Sequence, residues 1–239
     1  MIPYRADDAD DPTTAVPLIT IALIVANLAV FFYELSLATQ GSALDSFIRA
    51  YSLVPCEYTQ RCTAYLGTPS PFWITLFSSM FLHGGWAHIL GNMLFLFVFG
   101  LHVERSMGMA RYLAFYLLCG LGANAFEIVA AASSNLPGLG ASGAISGILA
   151  AYLVLYPGSH VRTLIPFGLF FWTVRVPAWI FIGVWFAMQL IYGAASISDV
   201  NAGGVAYSAH VGGFLTGLLL VRLFAQTHRV DRLRVYHQA

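Results

Sequence analysis

The second long apolar stretch of the chain contains the segment FLHGGWAHILGNMLF, residues 81–95. His83, His88 and Asn92 interrupt a sequence that otherwise consists of apolar and glycine residues. Polar and ionisable side chains are costly inside a bilayer, so those within a spanning segment are functional candidates. His88 and Asn92 are four residues apart and therefore share one face of the helix that we predict here.

The composition of the whole chain supports a membrane location for this segment. Hydrophobic residues make up 59% of the 239 residues and charged residues only 9%, and the mean hydropathy is +0.75. A soluble domain of this size needs more charge on its surface. The formal net charge is zero, which gives no sign of nucleic-acid binding. Apolar stretches of about spanning length lie at residues 16–37, 77–101, 109–131, 140–157, 177–196 and 207–225.

These stretches predict an all-α membrane protein, a bundle of six transmembrane helices, because backbone in lipid must satisfy its own hydrogen bonds. We place the bundle at residues 16–225, between an N-terminal segment 1–15 and a basic tail 226–239. The first stretch is predicted to be a retained helix rather than a cleaved signal peptide, since the residues before it carry four aspartates and only one arginine.

The arginines predict the orientation of the bundle. Six crossings put nine of the eleven on one side: Arg5, Arg105, Arg111, Arg162, Arg175, Arg222, Arg229, Arg232 and Arg234. The positive-inside rule therefore places both termini in the cytoplasm. The long loop 38–76 then lies outside, either partly in the membrane interface or as a small cap. Its Cys56 and Cys62 are expected to form a disulfide there.

Two further polar clusters occupy the first turns of the fourth and sixth spans. The fourth begins GLGASGAISG, residues 138–147, and the sixth begins YSAHVGGFLTG, residues 207–217. The orientation derived from arginine places Ser142, His210 and the histidines of the second span at one depth near the outer face. That agreement favours a shared site over three unrelated packing residues.

Glycine spacing predicts how the serine and the histidine meet. Each helix carries glycines four residues apart, Gly143 and Gly147 on the fourth and Gly213 and Gly217 on the sixth, which permits close backbone packing. A serine beside a histidine base is the minimum for nucleophilic acyl transfer. Ser142 also begins its helix, where free N–H groups suit an oxyanion. The last three spans contain no Asp or Glu, which favours a Ser–His dyad over a triad.

Other polar residues are interpreted as structural. Ser146 is expected to pack between helices, and Cys119 to pack in the core. Glu104 and Arg105 are expected to cap and anchor the end of the second span. Glu127 is interpreted as an interfacial residue that reaches water, in preference to a catalytic role.

The chain resembles the rhomboid family of intramembrane serine proteases, bacterial members in particular. The matching residues are His83, His88 and Asn92 in the second span, GASG around Ser142, and AHVGGFLTG around His210. MIPYR at the start and the turn containing Glu104 are also similar. The resemblance covers nearly the whole chain and implies a six-helix rhomboid-like bundle in a bacterial inner membrane.

The resemblance also implies roles for individual residues. Ser142 is then the nucleophile and His210 the general base and acid. Asn92, His88 and the Ser142 N–H form the oxyanion site, and Gly140, Ala141 and Gly143 shape the turn around the nucleophile. His83 is a supporting residue, structural or adjacent to the substrate. The family cuts transmembrane protein substrates near their outer ends and uses no metal or cofactor.

Two features of the sequence leave alternatives open. Some rhomboids carry an aromatic residue one turn after the nucleophile, stacked on the catalytic histidine, but here that residue is Ser146, so the group that orients His210 stays open. The Trp–Arg pair of many members' first loop is also absent. A catalytically inactive rhomboid-like protein that binds membrane helices is one alternative function. A metal site formed by His83, His88 and His210 is another.

Overall fold

The computed structural model describes residues 1–6, 16–167, 170–198 and 206–226. Most of the predicted N-terminal segment and all but the first residue of the predicted basic tail, including Arg229, Arg232 and Arg234, lie outside the described residues. Within the described ranges the chain is mostly helical, with a small sheet at one end of the bundle.

Four helical segments are long and apolar enough to cross a membrane among the described residues. The first is α1 (Leu18–Leu37) and the third is α7 (Met109–Ala130), while α10 (Tyr207–Phe224) ends the described bundle. The second, Trp86–Met107, comprises α5 (Trp86–Phe95), a π-helical turn (Leu96–Gly100) and α6 (Leu101–Met107). Two further apolar helices lie at the positions of the fourth and fifth predicted spans, α8 (Ser142–Leu155) and α9 (Ala178–Ser198).

The helix α8 occupies the centre of the bundle. Its 14 residues correspond to about 21 Å, less than the roughly 30 Å of a bilayer's hydrocarbon core. Every residue from Gly143 to Tyr152 is buried by the surrounding helices. A short helix enclosed in this way has its N-terminus inside the protein, and Ser142 is the first residue of that N-terminus.

The second predicted span begins later than we expected. Helical turns at residues 72–81, comprising Phe72–Ile74, α4 (Thr75–Ser78) and Ser79–Phe81, are separated from α5 by a bend. Gly85 has φ +148°, a conformation open to glycine, and it directly precedes Trp86. His83 therefore lies in the bend and not on the helix that carries His88 and Asn92.

The prediction of an all-α protein is wrong in one region. Strands β1 (Ile2–Ala6), β2 (His160–Phe167) and β3 (Phe170–Pro177) form an antiparallel sheet in the order β1-β2-β3. Arg5 pairs with Arg162, which in turn pairs with Arg175. The sheet thus joins the N-terminus to the α8–α9 connection at one end of the bundle. This agrees with the sequence prediction that the N-terminus and this connection lie on the same side of the membrane.

The loop 38–76 is folded and packs against the segment that precedes α8. It contains α2 (Ala43–Tyr51) and α3 (Pro55–Tyr58), and Leu53 and Val54 are buried. Leu53 exchanges two backbone hydrogen bonds with Gly138, at 2.9 and 2.7 Å. Cys56 and Cys62 form the predicted disulfide, with Cα atoms 5.4 Å apart. The loop therefore braces the turn that leads to Ser142.

Buried carboxylates hold the two ends of α1. Glu104 accepts hydrogen bonds from the backbone N–H groups of Ile19 and Thr20 and from the Thr20 hydroxyl. A carboxylate at a helix N-terminus satisfies free donors, so Glu104 caps the start of α1 and not the end of the second span, where we had predicted its capping role. At the other end, Glu34 accepts the backbone N–H of His83 and fixes the bend before α5.

Candidate active site

The turn before Ser142 depends on Gly140. Its φ is +121°, and its N–H donates to the Ser79 carbonyl at 2.8 Å. A Cβ at this position would lie 2.7 Å from His88 Nε2 and 3.5 Å from Asn92 Nδ2. Both side chains of α5 therefore converge on the backbone two residues before Ser142. Glycine is required here for its conformation and for the close approach of His88.

The predicted glycine contact between α8 and α10 is present. A Cβ on Gly213 would lie 1.9 Å from the Gly143 carbonyl oxygen, and one on Gly217 would lie 2.5 Å from that of Gly147. Helix α7 closes the third side, since a Cβ on Gly143 would meet Ala123 at 2.6 Å. Glycine packing of this kind brings helix axes closer than other residues allow, so α10 approaches α8 directly below the site.

The result is a direct contact between the predicted nucleophile and the predicted base. His210 Nε2 lies 2.7 Å from Ser142 Oγ, a hydrogen bond between residues 68 positions apart in sequence. His210 is buried and Ser142 is half-buried. The hydroxyl is thus accessible from one side while its base is shielded from bulk water.

His83 positions the Asn92 amide. Its Nδ1 faces the Phe81 carbonyl at 3.2 Å, which can only accept, so Nδ1 carries the ring proton. Nε2 then accepts from Asn92 Nδ2 at 3.0 Å. The second hydrogen of that amide group stays available. His83 therefore acts on its neighbour, and we find it beside Asn92 rather than beside Ser142.

The same reasoning assigns a proton on His88. The Gly84 N–H points to His88 Nδ1 over a long 3.4 Å, which makes Nδ1 the acceptor and Nε2 the protonated nitrogen. Nε2 is the atom that a Cβ on Gly140 would meet. One donor from His88 and one from Asn92 are thus directed at the turn that precedes Ser142.

Comparison with known proteins identifies the family. The rhomboid domain profile matches residues 71–227, two thirds of the chain and every residue of the site. The chain belongs to the rhomboid family. It is 28% identical over 215 residues to rhomboid protease AarA of Providencia stuartii, covering 84% of this chain and 70% of that protein. It is 34% identical over 134 residues to putative rhomboid protease YdcA of Bacillus subtilis, covering 54% of this chain and 67% of that protein.

Coverage differs among the relatives. RHOMBOID-like protein 5 of Arabidopsis thaliana is 36% identical over 78 residues, which are 33% of this chain but only 25% of that protein. The rhomboid match begins after β1, α1 and the Cys56–Cys62 disulfide. Family membership and the apolar helices together make this an integral membrane protein.

Ser146 has a local role in this rhomboid. It is fully buried, and its hydroxyl donates to the Ser142 carbonyl at 2.7 Å, within the same helix. The burial agrees with the predicted packing role, while the hydroxyl bonds to the backbone of its own helix. The aromatic ring beside His210 comes instead from α9, where the Trp185 ring lies with its centroid 5.9 Å from that of His210.

One functional candidate was missed by sequence analysis. Gln189 on α9 is buried, and its Oε1 lies 2.8 Å from His210 Nδ1. The sequence does contain a signal for Gln189, because burying a glutamine in an apolar span costs free energy, as it does for the other polar residues of the site. Gln189 belongs to none of the three motifs that mark the other site residues.

We predicted Glu127 to be an interfacial residue, but its side chain is buried. It is buried on α7 and accepts a hydrogen bond from the Ser208 hydroxyl, two residues before His210. With Asn124, Ser79 and Ser142 it lines a small cavity of about 20 Å³. That volume is sufficient for about one water molecule.

The three histidines do not converge as metal ligands would. His83 Nε2 is occupied by Asn92 and His210 Nε2 by Ser142. In the parts of the chain that the structure describes, no three His, Cys, Asp or Glu side chains are grouped to hold a metal ion.

Proposed function

We propose that this rhomboid is an intramembrane serine endopeptidase in which Ser142 is the nucleophile and His210 the general base. The observation that carries the proposal is the 2.7 Å hydrogen bond between Ser142 Oγ and His210 Nε2, at the N-terminus of a buried helix. Membership of the rhomboid family and the named protease relatives support the same reaction class.

The geometry supports a two-stage acyl transfer. Ser142 Oγ attacks the carbonyl carbon of the scissile peptide bond while its proton passes to His210 Nε2. The tetrahedral intermediate collapses, the C–N bond breaks, and His210 returns that proton to the leaving amine. Water then attacks the acyl-enzyme, with His210 taking its proton and restoring the Ser142 hydroxyl as the carboxylate product leaves.

Three donors are available for the oxyanion. The first residues of a helix have free backbone N–H groups, and Ser142 is the first residue of α8. Asn92 contributes the amide hydrogen that His83 does not take, and His88 contributes Nε2–H. Preorganised donors in a site shielded from water stabilise developing negative charge strongly. We assign Gly140, Ala141 and Gly143 to the shape of this turn.

The substrates that fit this site are transmembrane segments of other proteins. Ser142 lies at the end of α8 opposite to the β2–β3 sheet, which follows the C-terminal end of α8. The arginine distribution assigns that sheet to the cytoplasm, so the cut falls near the outer end of a substrate helix. We propose both termini in the cytoplasm, six crossings that include α8 and α9, and a bacterial inner membrane.

The proposed function is tested by cleavage in a bilayer. Purified protein in liposomes with a generic single-span substrate is expected to release two fragments, and mass spectrometry is expected to place the cut near the outer end of the substrate helix. The alternative, a rhomboid-like protein that only binds helices, gives co-purification of intact substrate and no fragments. Fragments cut only in soluble loops far from the membrane also contradict the proposal.

A further inference from the structure

Gln189 sits on the face of α9 that packs into the bundle. The face begins with Ala178, Phe181 and Ile182, which are buried, and continues with the half-buried Trp185 and Phe186. Phe186 stacks on Phe214 of α10 at 4.2 Å between ring centroids, which holds α9 against the helix of His210. A glutamine that follows five apolar side chains on a buried face needs hydrogen-bond partners to offset its desolvation.

Its two partners determine which way the amide points. Gln189 Nε2 lies 3.2 Å from the Trp185 carbonyl oxygen, which can only accept a hydrogen bond. The NH₂ group therefore occupies that end, and Oε1 is the atom 2.8 Å from His210 Nδ1. Because Oε1 can only accept, the ring proton is on Nδ1. The lone pair of Nε2 then faces the Ser142 hydroxyl, as a general base requires.

We infer that Gln189 is the positioning residue of His210, fixing its tautomer and ring plane for proton transfer from Ser142, an inference that rests on the proposed function. The Trp185 ring lies beside the His210 ring, with an angle of 33° between their planes, and restricts it on that side. Gln189 holds Nδ1, the nitrogen of His210 that does not contact Ser142. This assigns to α9 the orientation of His210 that Ser146 on α8 does not provide.

A neutral amide has a consequence for the reaction. When His210 takes the Ser142 proton it becomes an imidazolium, and Gln189 Oε1 offers it a dipole where a triad offers a full negative charge. The stabilisation of the imidazolium is smaller, but no charged side chain has to be buried in the bilayer. The chain thus keeps the tautomer control of a triad without its carboxylate.

Replacement of Gln189 by leucine removes the acceptor and nearly preserves volume. We expect kcat in the liposome assay to fall by about 10- to 100-fold, the loss seen when a metal-binding histidine loses the group that orients its ring. KM should stay within about twofold, because Gln189 does not touch the substrate in this account. Met188→Leu, which introduces leucine at the exposed neighbouring position, is the control and should keep wild-type kcat. Gln189→Met supplies a second, unbranched variant.

The ring tautomer separates this role from a merely structural one. In wild-type protein with ¹⁵N-labelled histidine at mildly alkaline pH, the His210 resonances should show a protonated Nδ1 and an unprotonated Nε2. His210→Ala provides the assignment, and the measurement needs no folded Gln189 variant. A proton on Nε2 in the wild type, or wild-type kcat in folded Gln189→Leu, would overturn the inference. Activity retained in Ser142→Ala would instead refute the proposed function itself.

Discussion

Ser142→Ala and His210→Ala each lower the rate of substrate cleavage by about 10⁴-fold or more, and the double variant is no slower than either single one. This is the expected result because nucleophile and base act as one unit, so removing either leaves only the catalysis that the oxyanion donors provide. The 2.7 Å contact is the physical basis of the expectation. Initial rates in liposomes for the three variants, with matched thermal stability, give the measurement.

Ser146→Ala is the control for these variants. It removes a hydroxyl one turn further along α8 that, among the described residues, bonds to the Ser142 carbonyl of its own helix, so cleavage should change by less than about threefold. Multiplicative losses in the double variant would show that Ser142 and His210 act independently and would contradict the proposed chemistry.

Gly213→Ala has the second large effect. The added methyl carbon would lie 1.9 Å from the Gly143 carbonyl oxygen, which is backbone and cannot move aside by rotation. Helices α8 and α10 must separate, and the site is close to the contact, since Ser142 is adjacent to Gly143 and His210 lies about one turn before Gly213. We expect a loss of about 3 kcal/mol of stability, the upper end for overpacking, and at least a tenfold loss of cleavage.

Gly183→Ala on α9 is the matched control for Gly213→Ala. A Cβ at that position meets nothing within 4 Å, so its thermal midpoint should equal or exceed that of the wild type. The comparison is made by the thermal midpoint and cleavage rate of both variants. Equal behaviour of the two would mean that the α8–α10 glycine contact does not hold the site together.

The site residues could be predicted from the sequence because polar groups in a membrane span are few and their cost marks them. The motifs on the second, fourth and sixth spans are also predicted to lie at the same depth in the membrane, because the arginine distribution gives the orientation of each span. Gln189 was not predicted because it belongs to none of the three motifs and its partner, His210, lies on a different span. Its importance follows from the packing of α9 on α10, which no spacing within one helix reveals.

The sheet could not be predicted for a related reason. Strand β1 is five residues long and pairs with β2, about 160 positions later in the chain. A strand this short carries too little alternation to recognise, and its partner β2 is followed by the aromatic residues 170–172, which resemble the start of the next apolar span. The position of His83 in a bend, in contrast, was readable from Gly84 and Gly85, because paired glycines favour a break.

Covalent labelling of Ser142 tests the central claim most directly. A fluorophosphonate that reacts with activated serines is incubated with wild-type, Ser142→Ala and His210→Ala protein in liposomes, and the modified peptide is identified by mass spectrometry. We expect one adduct on Ser142 in the wild type, formed slowly for lack of a carboxylate, and none in either variant. Chelators should change neither labelling nor cleavage. An adduct on another residue, or cleavage that a chelator stops and zinc restores, would contradict the account.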